Sequence, residues 1–333
     1  MSEFATELRN LVDDLVHHDA TETAEAQRTL WLRLRELGLP RVGIDEERGG
    51  SGGTFDDLLV LVDALAGHAV SQPVIEAATA DWVLGHEAPP ADLFTTLLLL
   101  EHPLVTAAGA ATAELPAVPW ARAADQLLVC APGAAPLLVD LAHASVTVRP
   151  GGNLAGEPRD TVLLTGTPVS EVALAPGYED VLARVAVLWS TAVAGAARGA
   201  YRLTKSYVSE RRQFDAPLLK IPAVASNLAL MRVQLIQAEA ALAQARETGA
   251  TSAAAEITRI ATASAATEVA RIAHQLHGAM GVTAEYPLHR YTRRLWAWRD
   301  AVAGEHRWAE QLGRRTALQG ETGLWTQLTA AGR

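Results

Sequence analysis

The hydrophobic positions change rhythm twice along the chain. Near the start, Leu8, Leu11, Val12 and Leu15 recur at spacings of three and four, which places them on one helix face. Leu30, Leu32, Leu34 and Leu37 predict a second helix that stops near Gly38 and Pro40. After the run Gly49-Gly50-Ser51-Gly52-Gly53, Thr54 is placed to cap a third helix over Phe55 to Leu65. From about residue 91 the pattern shortens to apolar runs separated by turn residues: Thr95–Leu100, Gln126–Cys130, Leu137–Leu141, Ser145–Val148 and Thr161–Leu164. Such runs predict a small antiparallel β domain. From about residue 178 long helical periods return. Helices are predicted over about 179–209, onward to about 247, from a Thr251 cap to Gly278, and from Pro287. On the third of these, Ile257, Ile260, Ala261, Ala265, Val269, Ile272 and Leu276 are assigned to the inward side. Four long helices with short connections predict a four-helix bundle.

Helices, then strands, then helices is the order of an α+β chain with domains in series. The predicted boundaries are an all-α domain over 1–90, a shortened middle β domain over 91–177 and a helical bundle over 178–333. With 333 residues, 49% of them hydrophobic and 20% charged, the chain has the balance of a globular protein. Its formal net charge of -10 excludes broad binding to a phosphate backbone, so no nucleic-acid partner is expected. The single cysteine, Cys130, ends the run Leu127-Leu128-Val129 and reads as a buried structural thiol. It can form no disulfide within the chain, and no Cys/His spacing suggests a metal site. No run approaches the roughly 20 uninterrupted apolar residues of a membrane span. Met1 to Asp19 carries acidic residues among its apolar ones, unlike a signal or transit peptide. A cytoplasmic location is expected, with no membrane partner.

Three stretches carry candidate chemistry. Tyr207-Val208-Ser209-Glu210-Arg211-Arg212-Gln213-Phe214-Asp215-Ala216-Pro217-Leu218 puts two arginines at a helix end, next to an aromatic and a turn. Cations there complement the helix dipole; equally, a planar guanidinium can clamp a diphosphate while the ring packs on a base. Gln275-Leu276-His277-Gly278-Ala279-Met280-Gly281 ends a helix in small residues, which either stop it or admit a ligand close to the backbone. Glu285 to Leu295 places Arg290, Arg293 and Arg294 on one helix face.

In order and separation, these stretches resemble the acyl-CoA dehydrogenase family. The first is similar to the family's E-R-x-x-F-G-x-P-[IL] pattern, the second to Q-x-x-G-G-x-G, and the third to E-x-P-x-x-R-x-x-R. Leu34-Arg35-Glu36-Leu37-Gly38-Leu39-Pro40, Asp45-Glu46-Glu47 and the Gly49–Gly53 run look like its L-x-E-L-G-L and P-E-E-x-G-G-x-G-G segments. The resemblance implies an acyl-CoA dehydrogenase-like fold and FAD held between subunits. It implies that Arg211 holds the FAD diphosphate and Phe214 lines the adenine side. Gln275 and the backbone of Gly278 and Ala279 would meet the adenosine and diphosphate of the partner's cofactor. It also implies the reaction: a Glu base takes the α proton of an acyl-CoA and the flavin takes the β hydride, after which electrons leave through an electron-transfer partner.

Several family positions are filled differently. A gapless alignment from Pro287 puts Val302 where one type of family base stands, and Glu305 reaches that place only with a three-residue insertion. Counting back from Phe214 to the other known base position lands on Val185. The family's flavin-ring segment, T-E-P-x-A-G-S-D-like, is reduced to Leu100-Glu101-His102-Pro103-Leu104, and the Gly after the Phe is Asp215. These departures resemble the shorter, base-lacking chain of heterotetrameric members acting on steroid side-chain CoA thioesters. Three readings follow: a subunit completing the FAD site of a related chain that carries the catalytic Glu; a self-sufficient homo-oligomeric dehydrogenase using Glu305; or a repurposed, non-catalytic scaffold of the same fold.

Overall fold

The computed structural model describes residues 3–18, 23–85, 88, 90, 92–173, 175–213 and 215–330. They fall into two compact units, 1–185 and 186–333.

The first unit begins with four helices: α1 (Glu3–His18), α2 (Ala24–Glu36), α3 (Phe55–Gly67) and α4 (Val74–Leu84). Leu8, Val12 and Leu15 are buried on α1, and Leu30 and Leu34 on α2, whereas Leu32 and Leu37 face solvent. Thr54 caps α3 as its sequence predicts. Its hydroxyl accepts from the Asp57 amide at 3.3 Å, and the Asp57 carboxylate accepts from the Thr54 amide at 2.8 Å. Nearly every residue of α3 and α4 is buried, so their acidic residues are drawn inside and need partners. Arg9 supplies one to Asp63 at 3.0 Å, and Arg41 one to Asp81 at 2.9 Å. Glu76 is only 4% exposed and its Oε1 has no hydrogen-bond partner. Burial pushes its carboxyl up to about 7, against the opposing pull of Arg159.

Eight strands follow: β1 (Thr95–Leu99), β2 (Thr106–Ala107), β3 (Ala110–Pro119), β4 (Gln126–Cys130), β5 (Leu137–Asp140), β6 (Val146–Arg149), β7 (Arg159–Pro168) and β8 (Ser170–Glu171). They form two four-stranded sheets, ordered β1-β4-β5-β8 and β2-β3-β7-β6. The expectation of a purely antiparallel domain is corrected here. β1 pairs with β4 in parallel, Thr95 opposite Gln126 and Leu99 opposite Cys130. The long connection between them, which carries β2 and β3 into the other sheet, makes that pairing feasible. β3 had no place among the predicted runs, because its Ala- and Pro-rich sequence is a weak strand former. It pairs with β7 through a register shift between Leu115 and Val118, where Ala117 adopts φ 55°. Leu115, Val118, Leu127, Val139, Val162 and Leu164 form the core of this part. Asp160, fully buried, accepts from the Arg122 amide at 2.8 Å, from Arg122 Nε at 2.9 Å and from the Gly151 amide at 3.0 Å. Burial alone would raise its carboxyl, but these donors and the Arg122 charge hold it below the usual carboxylate range.

A helix α5 (Tyr178–Glu210) runs from the first unit into the second. Near its start, Arg184 lies between the rings of Phe55 and Trp82, 4.4 and 4.6 Å from their centroids. One 18-residue window of α5 reaches a mean hydropathy of 1.4, and 89% of that window is buried, as in a core helix.

The second unit adds α6 (Pro222–Thr248), α7 (Ser252–His277), α8 (Leu288–Arg299) and α9 (Glu305–Ala330). Thr251 caps α7, its side chain accepting from the Ala254 amide at 3.2 Å, and Gly278 ends it. The predicted fourth long helix from Pro287 is instead α8, of 12 residues, followed after a break by α9. The buried Arg259 secures the break, with Nη2 donating to the Trp298 carbonyl at 3.1 Å and to that of Arg299. The inward side of α7 also differs. Ala265, Val269 and Ile272 are buried as expected, whereas Ile257, Ile260, Ala261 and Leu276 are half-buried. Their place is taken by Ala255, Thr258, Thr262, Ala266 and Ala273. Small side chains let helices approach, and each threonine hides its hydroxyl on the carbonyl one turn back, Thr258 on Ala254 and Thr262 on Thr258, both at 2.7 Å.

Two outcomes test this description by thermal or urea melts. A carboxyl raised to about 7 destabilises the fold progressively as pH rises from its unfolded value of 4.5 through 7. Glu76→Gln therefore melts above the parent at pH 8, and the gap closes as pH falls below 5. Asp160→Ala strands three donors and costs roughly 2–4 kcal/mol, the partly exposed Arg122 moderating the loss.

Candidate functional site

The ends of α5 and α7 meet through aromatic rings. Tyr207, on the last turn of α5, stacks on His277, the last residue of α7, with centroids 4.4 Å apart and planes inclined by 23°. Tyr286 completes the cluster, its ring 5.7 Å from Tyr207 and 5.0 Å from His277. The ring nitrogen Nδ1 of His277 lies 2.8 Å from the Ala273 carbonyl, which can only accept, so Nδ1 carries the proton. Nε2 then accepts from the Tyr286 hydroxyl at 3.3 Å. Burial, with His274 nearby, holds the His277 pKa below its ordinary value, and the ring stays neutral in the stack. Burial likewise raises the Tyr286 phenol, aided by Tyr207 and Glu210. Tyr207 and His277 fall within the stretches singled out from sequence, but nothing there signalled that they would touch.

Two candidate elements hang from this cluster. On the α5 side, the Arg211 amide donates to the Tyr207 carbonyl at 2.8 Å, which fixes Arg211 one turn beyond the stack. The chain then turns through a short hairpin of β9 (Arg212–Gln213) and β10 (Ala216–Pro217), closed by the Leu218 amide on the Arg211 carbonyl at 2.8 Å. Arg212 Nη2 braces it on the Asp215 carbonyl at 2.7 Å. Asp215 has φ 60°, a left-handed conformation that accounts for the Gly in the resembled pattern. Arg211 is exposed, and its side chain has no partner among the described residues. Phe214, the expected adenine-side ring, lies outside the described residues.

On the α7 side, Gln275 is exposed and its Oε1 accepts from Arg271 at 3.4 Å. Gly278 has φ 57°, and a Cβ there would meet nothing within 4 Å. Its amide is used by the helix stop, donating to His274, so the position offers a ligand bare surface rather than a free donor. Ala279 is exposed beside it. Gly281, by contrast, is required by packing, since a Cβ would come within 2.9 Å of the His277 Cβ and 3.1 Å of Leu288. Arg211, Gln275, Gly278 and Ala279 therefore belong to one region of the second unit, joined through the Tyr207–His277 stack.

Glu305 is the solvent-exposed first residue of α9. Val302 is half-buried, and Val185 is 4% exposed on α5, in the first unit. The donor set at the α5 and α7 ends suits a dinucleotide: an unengaged guanidinium for phosphate, an exposed amide side chain, and a small-residue surface that admits close approach.

Comparison with known proteins places this geometry. Residues 181–299 match the acyl-CoA dehydrogenase C-terminal domain. The acyl-CoA dehydrogenase FadE34 of Mycobacterium tuberculosis is 28% identical over 231 residues, which make up 66% of this chain and 32% of that protein. FadE28 of the same organism, also an acyl-CoA dehydrogenase, is 27% identical over 215 residues, 60% of this chain and 61% of that protein. The matches thus span less than two thirds of either relative. Among solved structures, the ChsE4-ChsE5 complex from Mycobacterium tuberculosis superposes with a TM-score of 0.83 at 23% identity, over 95% of this chain and 98% of the matched one. The chain has the acyl-CoA dehydrogenase fold, and its residues 181–299 match that family's C-terminal domain.

Proposed function

We propose that this chain is a subunit of an FAD-dependent acyl-CoA dehydrogenase, and that it completes the FAD site of a related partner chain carrying the catalytic Glu. The reaction is the α,β-desaturation of an acyl-CoA thioester, with steroid side-chain thioesters the favoured substrate class. The observation that carries this reading is the Tyr207–His277 stack, which joins Arg211 to the Gln275–Ala279 stop within one chain. FAD, when bound, supplies the hydride acceptor. Arg211 neutralises diphosphate charge, the Gly278–Ala279 surface receives the adenosine end, and Gln275 orients it. These roles are positional.

The division of labour is supported by what stands at the base positions. Val302 and Val185 cannot take a proton, and Glu305 sits in solvent as the first residue of α9. The likeness to a chain of the ChsE4-ChsE5 complex favours a two-chain assembly. We further assign 1–90, 91–177 and 178–333 as the three domains of this subunit.

Co-expression with a longer acyl-CoA dehydrogenase chain from the same source tests the reading. Bound flavin and acyl-CoA turnover are expected with both chains present and lacking with this chain alone. Flavin retention and turnover by this chain alone, abolished by Glu305→Gln, overturn it in favour of a self-sufficient enzyme. Flavin absent from every pairing points to a repurposed scaffold. Within the two-chain assembly, Arg211→Ala removes a charge-assisted contact of roughly 1.5–3 kcal/mol. FAD affinity, measured by titrating the apo-complex, falls by about tenfold to a hundredfold; an unchanged affinity removes Arg211 from the site.

A further inference from the structure

The corner between α5 and α7 is held through three parts of His277. Its ring face stacks on Tyr207 with centroids 4.4 Å apart. Its ring edge is bound on both sides, Nδ1 donating to the Ala273 carbonyl at 2.8 Å and Nε2 accepting from the Tyr286 hydroxyl at 3.3 Å. Its carbonyl receives the Tyr207 hydroxyl at 3.5 Å. The small-residue loop is built onto the same residue. Gly278 departs from it directly, and a Cβ on Gly281 would stand 2.9 Å from the His277 Cβ. Displacing this ring therefore displaces the loop. It also loosens Tyr207, whose carbonyl fixes Arg211.

These contacts belong to a neutral imidazole. A protonated ring has two donors and no acceptor, so Nε2 can no longer receive the Tyr286 hydroxyl hydrogen. The new charge would also be buried, since His277 is only 3% exposed. The titratable groups around it are Tyr207 and Glu210 from α5, His274 from α7 and Tyr286 from the segment ahead of α8. Among the described residues no carboxylate lies against the ring. Glu210 acts on the Tyr286 phenol instead, and His274 opposes a second positive charge. The face of Tyr207 attracts a cation, but by far less than burying an unpaired charge costs. The corner is thus closed when His277 is neutral and disfavoured when it carries a proton.

We infer that His277 is a positioning residue for the cofactor site, and that its protonation releases the stack and weakens FAD binding. The inference rests on the cofactor reading and adds to it an acid-sensitive hold on the dinucleotide. Uptake of one proton on release costs up to about tenfold in affinity per pH unit. The loss sets in below the ordinary histidine value of 6.5, because burial depresses the ring. The test is titration of the FAD-free two-chain assembly with FAD, from pH 8 to about pH 5 at constant ionic strength. The parent's affinity should be level above pH 6.5 and fall below it. His277→Gln keeps a donor for Ala273 and an acceptor for Tyr286 without titrating, and His277→Phe keeps a ring against Tyr207. Both should give flat profiles, and either one decides the matter if the other fails to fold. Arg211→Ala removes a charge that is constant over this range, so its profile should run parallel to the parent's at lower affinity. A level parent profile overturns the inference. So does a parent-like fall in His277→Gln or His277→Phe, and if Arg211→Ala still weakens binding, the cofactor reading survives that result. An unchanged affinity in Arg211→Ala overturns the cofactor reading and this inference with it.

Discussion

Seventy residues of sequence separate Tyr207 from His277, and their ring contact makes the ends of two long helices into one structural corner. Much of the second unit's exposed chemistry is referred to that corner. Arg211 is fixed by a backbone bond to Tyr207, the hairpin is closed by a bond back to Arg211, and the small-residue loop departs from His277. The contact works because His277 is neutral. Its buried ring spends its proton on the Ala273 carbonyl and turns its lone pair to Tyr286, so no charge has to be desolvated to make the stack. The corner is therefore rigid where it is apolar and open where it presents Arg211 and Gly278, which is the arrangement a positioning site needs.

The same logic governs buried charge elsewhere, with different solutions. Asp160 is satisfied by converging donors, and Arg259 places its Nη2 on the carbonyls at the end of α8, which it also terminates. Arg184 takes aromatic faces in place of a counter-ion, and burial lowers its pKa to about 10, still charged at neutral pH. Glu76 differs in that burial raises its carboxyl to about 7, so it gives up its charge more readily than it finds a partner for its Oε1. Such a residue weakens the fold at neutral pH and marks where stability has room to rise.

What was legible in the sequence was local. The Thr54 and Thr251 caps, the Gly278 stop and the spans of α5, α6 and α7 follow from signals a few residues long, and the structure places them within a residue or two. What was not legible depends on distant segments. The parallel pairing of β1 with β4 is decided by where the intervening strands go, and β3 forms because β7 offers it a partner, not because its residues favour a strand. The break between α8 and α9 is held by Arg259, some forty residues upstream. On α7, side-chain polarity misled the reading, since threonines that bond their own helix behave as small core residues. For the site, the motifs located Arg211, Gln275, Gly278 and Ala279, but only the Tyr207–His277 contact gathers them, and Glu305 proves to be an exposed helix start.

The claim that the α5 and α7 ends serve one dinucleotide is tested most directly by hydrogen–deuterium exchange on the two-chain assembly with and without FAD. Peptides covering residues 205–218 and 274–284 should both become protected on FAD addition, and to a similar extent at the same FAD concentration. Protection of only one of them, or of neither while flavin is demonstrably bound, contradicts the account.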